Sequence, residues 1–294
     1  MRHKTNRAAI ELGFAGLALL RSFPSGNPTD LLKEMIEKLK QKDWADDEIE
    51  IEEFDTQAGY KLWAETYDAL SNPLLDLEEP VVRSMIDRLP PGVTIDAACG
   101  TGRHAAYLLE RAHSVVAIDS SESMLAKARE RVPAADIRTG SLLELPVADG
   151  AADLALCALA LTHFAELDSP IVELARVVRQ GGHVILSDIH PIAVATGAHA
   201  FFRSAAGSRG MVKNHVHWPS QYLKAFLNAG LAVVDCAEPQ IDKATVEKIN
   251  PSSTTKHWME QALLGLPFAL IWELERSSSP RQGALRRSLH SVTS

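Results

Sequence analysis

Sulfhydryls are scarce in this 294-residue chain: Cys99, Cys157 and Cys236 are its three cysteines, and their wide spacing excludes a disulfide framework and a zinc site. A reducing, cytoplasmic setting is the expectation. Positive charge is also short. Lys plus Arg number 30 against 38 Asp plus Glu, a net charge of −8, which is the wrong sign for tracking a phosphate backbone, so nucleic acid is not an expected partner. The stretch Ala8 to Leu20, after a basic start of Arg2, Lys4 and Arg7, imitates a signal peptide. Glu11 interrupts it, no small-x-small cleavage site follows Leu20, and it is too short to span a bilayer. It reads instead as a helix that packs on the protein, covering a pocket or a contact in a homodimer, and no membrane partner is expected. Internal repeats are absent. What is present, 46% hydrophobic and 23% charged residues, suits one large globular domain with additions.

Residues 1–55 read as a helical appendage and acidic linker. Gly26-Asn27-Pro28-Thr29-Asp30 is a helix start, and Leu31, Leu32, Met35, Ile36 and Leu39 recur at helical spacing up to about Lys40. From Asp43 to Asp55 there are eight carboxylates in thirteen residues, which predicts a solvated linker anchored by Ile49, Ile51 and Phe54. From Val93 onward short apolar runs alternate with helical segments, the pattern of βαβ units and a parallel sheet. The candidate strands are Val93–Ala97, Ser114–Asp119, Ile137–Thr139, Leu154–Ala158, His183–Asp188, Leu231–Ala237 and Phe268–Glu275, with helices centred near Tyr107, Ala126, Leu174 and Leu223. The main domain is assigned to 56–276, with a lid insertion at 191–220. Residues 277–294, rich in Ser and Arg, read as a flexible tail.

The strongest local signal runs from Thr94 to Ala105, TIDAACGTGRHA: a strand, a small-residue turn and a helix start. Glycine lets backbone approach a ligand closely while the first helix amides face it. Asp119 ends the next strand, where a carboxylate can accept two ribose hydroxyls. Gly100-x-Gly102-x-x-Ala105 also satisfies the dinucleotide fingerprint, so a nicotinamide oxidoreductase is one rival and a non-catalytic nucleotide-binding module another. Asp96 weighs against a dinucleotide, because a pyrophosphate would meet its buried charge, whereas the ammonium of S-adenosylmethionine (SAM) would be held by it.

These residues resemble a class I SAM-dependent methyltransferase, of the group related to ubiquinone and menaquinone biosynthesis methyltransferases. The resemblance covers about 56–276. It includes Asp96 to Gly102, then Ile118-Asp119-Ser120-Ser121 with Met124-Leu125-Ala128-Arg129, then Thr139 to Pro146, Asp153 to His163, and Glu173 to His183. It implies a Rossmann-like α/β fold: a seven-stranded, mostly parallel sheet with its last strand antiparallel and helices on both faces. The cofactor would lie across the carboxyl ends of the first two strands, against Asp96, Ala98, Cys99, Gly100, Gly102, Arg103, Asp119, Ser120, Met124, Ser141, Leu142 and Ala158. Two positions depart from the family. Ala98 replaces a glycine, which suggests that small size matters there more than a positive φ, and Ser141 replaces an acid that would bond the adenine amine.

Methyl transfer from a sulfonium asks the protein chiefly to align the acceptor and exclude water. Tyr60, Trp63 and Tyr67 fall at i, i+3 and i+7, one helix face, in an element that by the resemblance closes over the cofactor; the first two are assigned to cofactor binding and Tyr67 to the catalytic side. His163, His190 and His215 are the candidate bases, with His217 on the face of His215. Phe201, Phe202 and Trp218 are expected to stack on an aromatic acceptor. No further ligands accompany the paired histidines, so no metal is expected. Glu65, His104 and His113 read as surface or capping groups. The appendage and insertion resemble those of bacterial secondary-metabolism methyltransferases, close to the enzymes that alkylate indole C3 in pyrroloindoline alkaloid pathways.

Overall fold

The computed structural model of the chain describes residues 1–22, 28–41, 48–69, 71–249 and 256–277. In chain order the strands are β1 (Arg2–Asn6), β2 (Glu48–Phe54), β3 (Val93–Ala97), β4 (Ser114–Asp119), β5 (Asp136–Thr139), β6 (Ala152–Ala158), β7 (Val178–Ile189), β8 (Ala200–Arg203), β9 (Arg209–Val212), β10 (Leu231–Ala237) and β11 (Ala269–Arg276). The helices are α1 (Arg7–Ser22), α2 (Pro28–Gln41), α3 (Thr56–Trp63), α4 (Pro73–Asp87), α5 (Arg103–Glu110), α6 (Glu122–Arg131), α7 (Asp168–Val177), α8 (Pro191–Ala195), α9 (Pro219–Ala229), α10 (Lys243–Ile249) and α11 (Lys256–Leu263).

The seven expected strands make one sheet in the order β10-β11-β7-β6-β3-β4-β5. β3 pairs in parallel with β4 and β6, β4 with β5, and β6 with β7, while β11 runs antiparallel to β7 and β10. Strand residues are apolar on both faces because both faces are covered. Ile95, Ile118, Cys157, Val184 and Leu270 pack on one side with α7 and α9, through Leu174, Tyr222 and Phe226. Val115, Leu156, Ile185 and Ile271 pack on the other with α4, α5 and α6, through Met85, Leu108 and Leu125. β3 lies at the point where the strand order reverses, so the ends of β3 and β6 open the crevice that such sheets use for ligands.

The linker reading is corrected over 48–54. Its alternation of Glu with Ile49 and Ile51 forms strand β2, antiparallel to β1 and parallel to β9, in a second sheet of order β1-β2-β9-β8. Alternating side chains bury one face and solvate the other, which the charge count alone conceals. The appendage is thereby joined to the insertion. α1 does pack on the protein itself: Ala15 and Ala18 bury against Leu31, Trp258 and Ala262, and Arg21 donates to the carbonyls of Ala262 and Leu264 at the end of α11. No helix among the described residues is long and apolar enough to cross a membrane. The expected tail beyond Ser277 and the linker residues 43–47 lie outside the described residues.

Candidate active site

Four loops meet at the carboxyl ends of β3, β4, β6 and β7. After β3 the chain turns through three left-handed residues, Ala98 at φ 59°, Gly100 at 54° and Gly102 at 81°. The expectation for Ala98 is therefore wrong: the position does take the positive φ, and alanine holds it at a cost of roughly 1–2 kcal/mol. Leu159, just after β6, sits at φ 56°, a second strained residue on the same rim. The turn is tied to β4 by Cys99 N–H on the Ile118 carbonyl (3.0 Å) and by Gly100 N–H on Asp119 Oδ2 (2.8 Å). Asp119 Oδ1 accepts from Ser121 N–H at 2.8 Å, and Ser121 caps α6 by accepting from Met124 N–H. Burial raises the Asp119 carboxyl, and the amides of Ser121, Gly100 and Ser120 oppose the rise. A Cβ at Gly100 would meet nothing within 4 Å, so the rim beside it is open.

Asp96 is buried, and its Oδ2 has no hydrogen-bond partner. Burial pushes the carboxyl up to about 6, against the pull of His104 and Arg103. An ammonium would supply the missing partner, which is the test this site passes for SAM; a phosphate would not. Arg103 is committed elsewhere, to Glu78 (2.8 Å) and Glu79 (3.2 Å). Glu78, on α4, is missed by sequence reasoning. Fully buried, it also meets His104 Nε2 at 3.1 Å and accepts from Ser187 Oγ at 2.6 Å, and although burial opposes it, His104, Arg103 and Ser187 hold its carboxyl down at about 2. Met124, Cys99 and Leu142 are buried, Ala158 ends β6 half-buried, and Ser120 is exposed. Ser141 Oγ accepts from Leu143 N–H at 3.1 Å, closing its own turn.

The aromatic face gathers as a wall, although α3 ends at Trp63 and Tyr67 lies in the following turn. Ring centroids are 5.5 Å apart for Tyr60 and Trp63 and 4.9 Å for Trp63 and Tyr67, and Phe202 stacks on Trp63 at 5.5 Å and 15°. Burial raises the Tyr60 phenol well above its ordinary value, with Tyr67, Asp119 and Asp188 adding to the rise. The Tyr60 hydroxyl meets His163 Nε2 at 2.8 Å. His163 Nδ1 faces the Lys213 carbonyl at 3.4 Å, which can only accept, so Nδ1 carries the hydrogen and Nε2 is the basic nitrogen receiving the phenol O–H. Burial lowers the His163 imidazole, and His215 lowers it further.

Asp188, at the end of β7, is a second group that the sequence does not single out. It accepts from Tyr222 O–H (2.6 Å) and Thr162 N–H (3.2 Å), fixing the turn that carries His163, while burial pushes it up to about 7. The Thr162 carbonyl accepts from His215 N–H at 2.7 Å, and the rings of His215 and His217 lie 6.4 Å apart on one face. His190 is placed differently from its expected role. Ile192 N–H donates to its Nδ1 (3.3 Å), which caps α8, so Nε2–H faces Glu238 (3.1 Å) and both nitrogens are engaged. Phe202 is buried, whereas Phe201 and Trp218 are about half exposed and do not join the wall, because strand alternation turns Phe201 outward. His104 and His113 are buried rather than superficial, His113 beside Thr94 Oγ1 at 2.8 Å; Glu65 is exposed as expected. No group of three or more His, Cys, Asp or Glu able to hold a metal occurs among the described residues.

Residues 95–186 match the family model described as a methyltransferase domain. A probable S-adenosylmethionine-dependent methyltransferase of Mycolicibacterium smegmatis is 27% identical over 182 residues, covering 58% of this chain and 71% of its own length. A malonyl-[acyl-carrier protein] O-methyltransferase of Serratia marcescens is 32% identical over 126 residues, 43% of this chain; the chain spans 49% of that relative's length. An S-adenosylmethionine dependent methyltransferase structure from Mesorhizobium loti aligns with a TM-score of 0.53 at 23% identity, covering 68% of this chain and 98% of that one, a likeness of fold. The matched family and relatives are methyltransferases, and the oxidoreductase alternative is set aside.

Proposed function

We propose that residues 56–276, of which 95–186 match the methyltransferase family model, form a SAM-dependent domain that carries methyl transfer to a small aromatic or heteroaromatic acceptor, with a ring carbon such as indole C3 as the leading candidate. The observation that carries the reading is Asp96: a buried carboxylate oxygen without a partner, beside an open left-handed glycine turn, is made for a ligand that brings a cation. SAM, when bound, supplies a sulfonium methyl already activated for displacement. Asp96 would hold its ammonium and Asp119 its ribose hydroxyls, while Tyr60, Trp63 and Tyr67 present π faces suited to a sulfonium and to a flat acceptor.

A ring carbon or hydroxyl that gains a methyl must lose a proton. Tyr60 and His163 are arranged to take it: His163 Nε2 is basic by virtue of the Lys213 carbonyl, and the Tyr60 hydroxyl fills it. A proton accepted by the Tyr60 oxygen is matched by one passed to Nε2, so the phenol ends unchanged. His190 is left out because both its nitrogens are used. A cytoplasmic setting agrees with three free thiols, and assembly as a homodimer belongs to the same proposal.

Incubation with labelled SAM and a panel of indoles, phenols and heteroaromatic amines tests the reading by the release of S-adenosylhomocysteine. Acceptor-dependent release with a flat aromatic is expected. Turnover confined to carboxylates of acyl thioesters would overturn the acceptor assignment, and absence of SAM binding would overturn the whole reading.

A further inference from the structure

Asp68 follows Tyr67 in the turn after α3, Thr101 lies between the left-handed Gly100 and Gly102, and Arg131 is the last residue of α6. Their polar atoms close a ring. Thr101 Oγ1 donates to Asp68 Oδ1 at 3.1 Å and accepts from Arg131 Nη1 at 2.8 Å, and Arg131 Nη2 pairs with Asp68 Oδ2 at 2.9 Å. The hydroxyl gives one hydrogen and receives one, and each carboxylate oxygen has one donor, so no member competes with another. Thr101 is buried, while Asp68 and Arg131 are partly exposed.

This ring links two things that chain connectivity keeps apart: the segment bearing the aromatic wall and the turn bearing the open glycine rim. The rest of the turn is already fastened, by Asp119 on Gly100 and by close packing of Gly102 on Ala128. The same segment has another tie, two residues before Asp68, by Thr66 Oγ1 on the Arg203 carbonyl at 2.6 Å. Between them Tyr67 is half-buried, within the fields of Arg103, Asp68, Glu78 and Asp119, charges on or beside the turn. Partly exposed ion pairs add little to folding, so the ring's effect falls on the position of the segment rather than on global stability.

We infer that Asp68, Thr101 and Arg131 form a latch that holds Tyr67 over the glycine turn and sets how long the cofactor stays bound. All three are positioning residues. The inference rests on the reading that SAM binds here, and it assigns them no part in the transfer step.

Stopped-flow measurement of SAM dissociation, read by displacement and by intrinsic tryptophan fluorescence, tests it in the full chain. Asp68→Ala, Arg131→Met and Thr101→Val are each expected to speed dissociation about tenfold and to weaken affinity correspondingly, with association changed less than about twofold. The Asp68→Ala/Arg131→Met double variant should dissociate no faster than the faster single variant, because one latch is broken either way. Melting temperatures should stay close to the wild-type value, which separates the latch from a general loosening of the fold. Dissociation rates within about twofold of wild type in all three single variants, or effects that multiply in the double variant, would overturn the latch alone. A wild-type chain that binds no SAM would overturn the functional reading and the latch with it.

Discussion

Tyr60 and His163 belong to segments 103 residues apart, yet the phenol oxygen and Nε2 stand 2.8 Å from each other, with the Lys213 carbonyl behind the ring fixing its tautomer. The pair is built to act as one unit. Replacing His163 with Ala should lower kcat by ~10²–10³-fold with SAM affinity unchanged, and adding Tyr60→Phe should cost little more. The active form is the neutral imidazole, so wild-type kcat rises with pH, with its midpoint below the ordinary imidazole value of about 6.5, since burial lowers this group. Steady-state kinetics across pH 5 to about 8 and calorimetry with SAM measure all of this.

Asp96 must be ionised to hold an ammonium, and its carboxyl sits at about 6 before any cation arrives. SAM affinity should therefore fall as pH drops through about 6, with proton release on binding below that point. The sign for folding is opposite. The native carboxyl binds a proton more readily than the unfolded one at 3.8, so its contribution to stability without ligand declines as pH rises from about 4 to 6. Asp96→Asn should accordingly weaken SAM binding strongly while removing that decline. Titration calorimetry and urea melts at pH 5 and about 8 separate the two effects.

Glu78 behaves in the reverse direction. Its carboxyl is held at about 2 against an ordinary 4.5, so the stability it contributes is present above about 4.5 and is lost as pH falls toward 2. Glu78→Ala leaves Arg103 and His104 without their buried partner and should cost about 3–5 kcal/mol at pH 7. Glu78→Gln should cost less, and its deficit against wild type should shrink as pH falls through that window. Chemical denaturation at pH 7 and at about 3 provides the comparison.

Ala98 holds a left-handed backbone that glycine adopts freely. Ala98→Gly should be neutral to stabilising by up to ~1 kcal/mol, because relief of strain offsets the greater freedom of the unfolded chain. Ala98→Val should destabilise and weaken SAM binding together. Thermal melts with and without SAM would show it, and a markedly less stable Ala98→Gly would contradict the strain argument.

The seven strands of the main sheet, the helices between them and the glycine turn were legible in the sequence because each rests on neighbours along the chain. Apolar runs bounded by turns mark buried parallel strands, and a strand ending in Ala98-Cys99-Gly100-Thr101-Gly102 leaves few alternatives. Asp96 and Asp119 stand at fixed offsets from that turn, so local order was enough to place them beside it. Glu78, Asp188 and the Asp68–Thr101–Arg131 ring were not legible, since a buried carboxylate on a helix looks like any surface acid until packing brings its partners within reach. The same holds for the acidic run at 48–54, whose charge suggested solvent and whose alternation served a strand paired with β9. Tertiary structure likewise sorted the histidines, turning His190 into a helix cap and His163 toward Tyr60, because hydrogen-bond partners far along the chain decide which ring nitrogen is free.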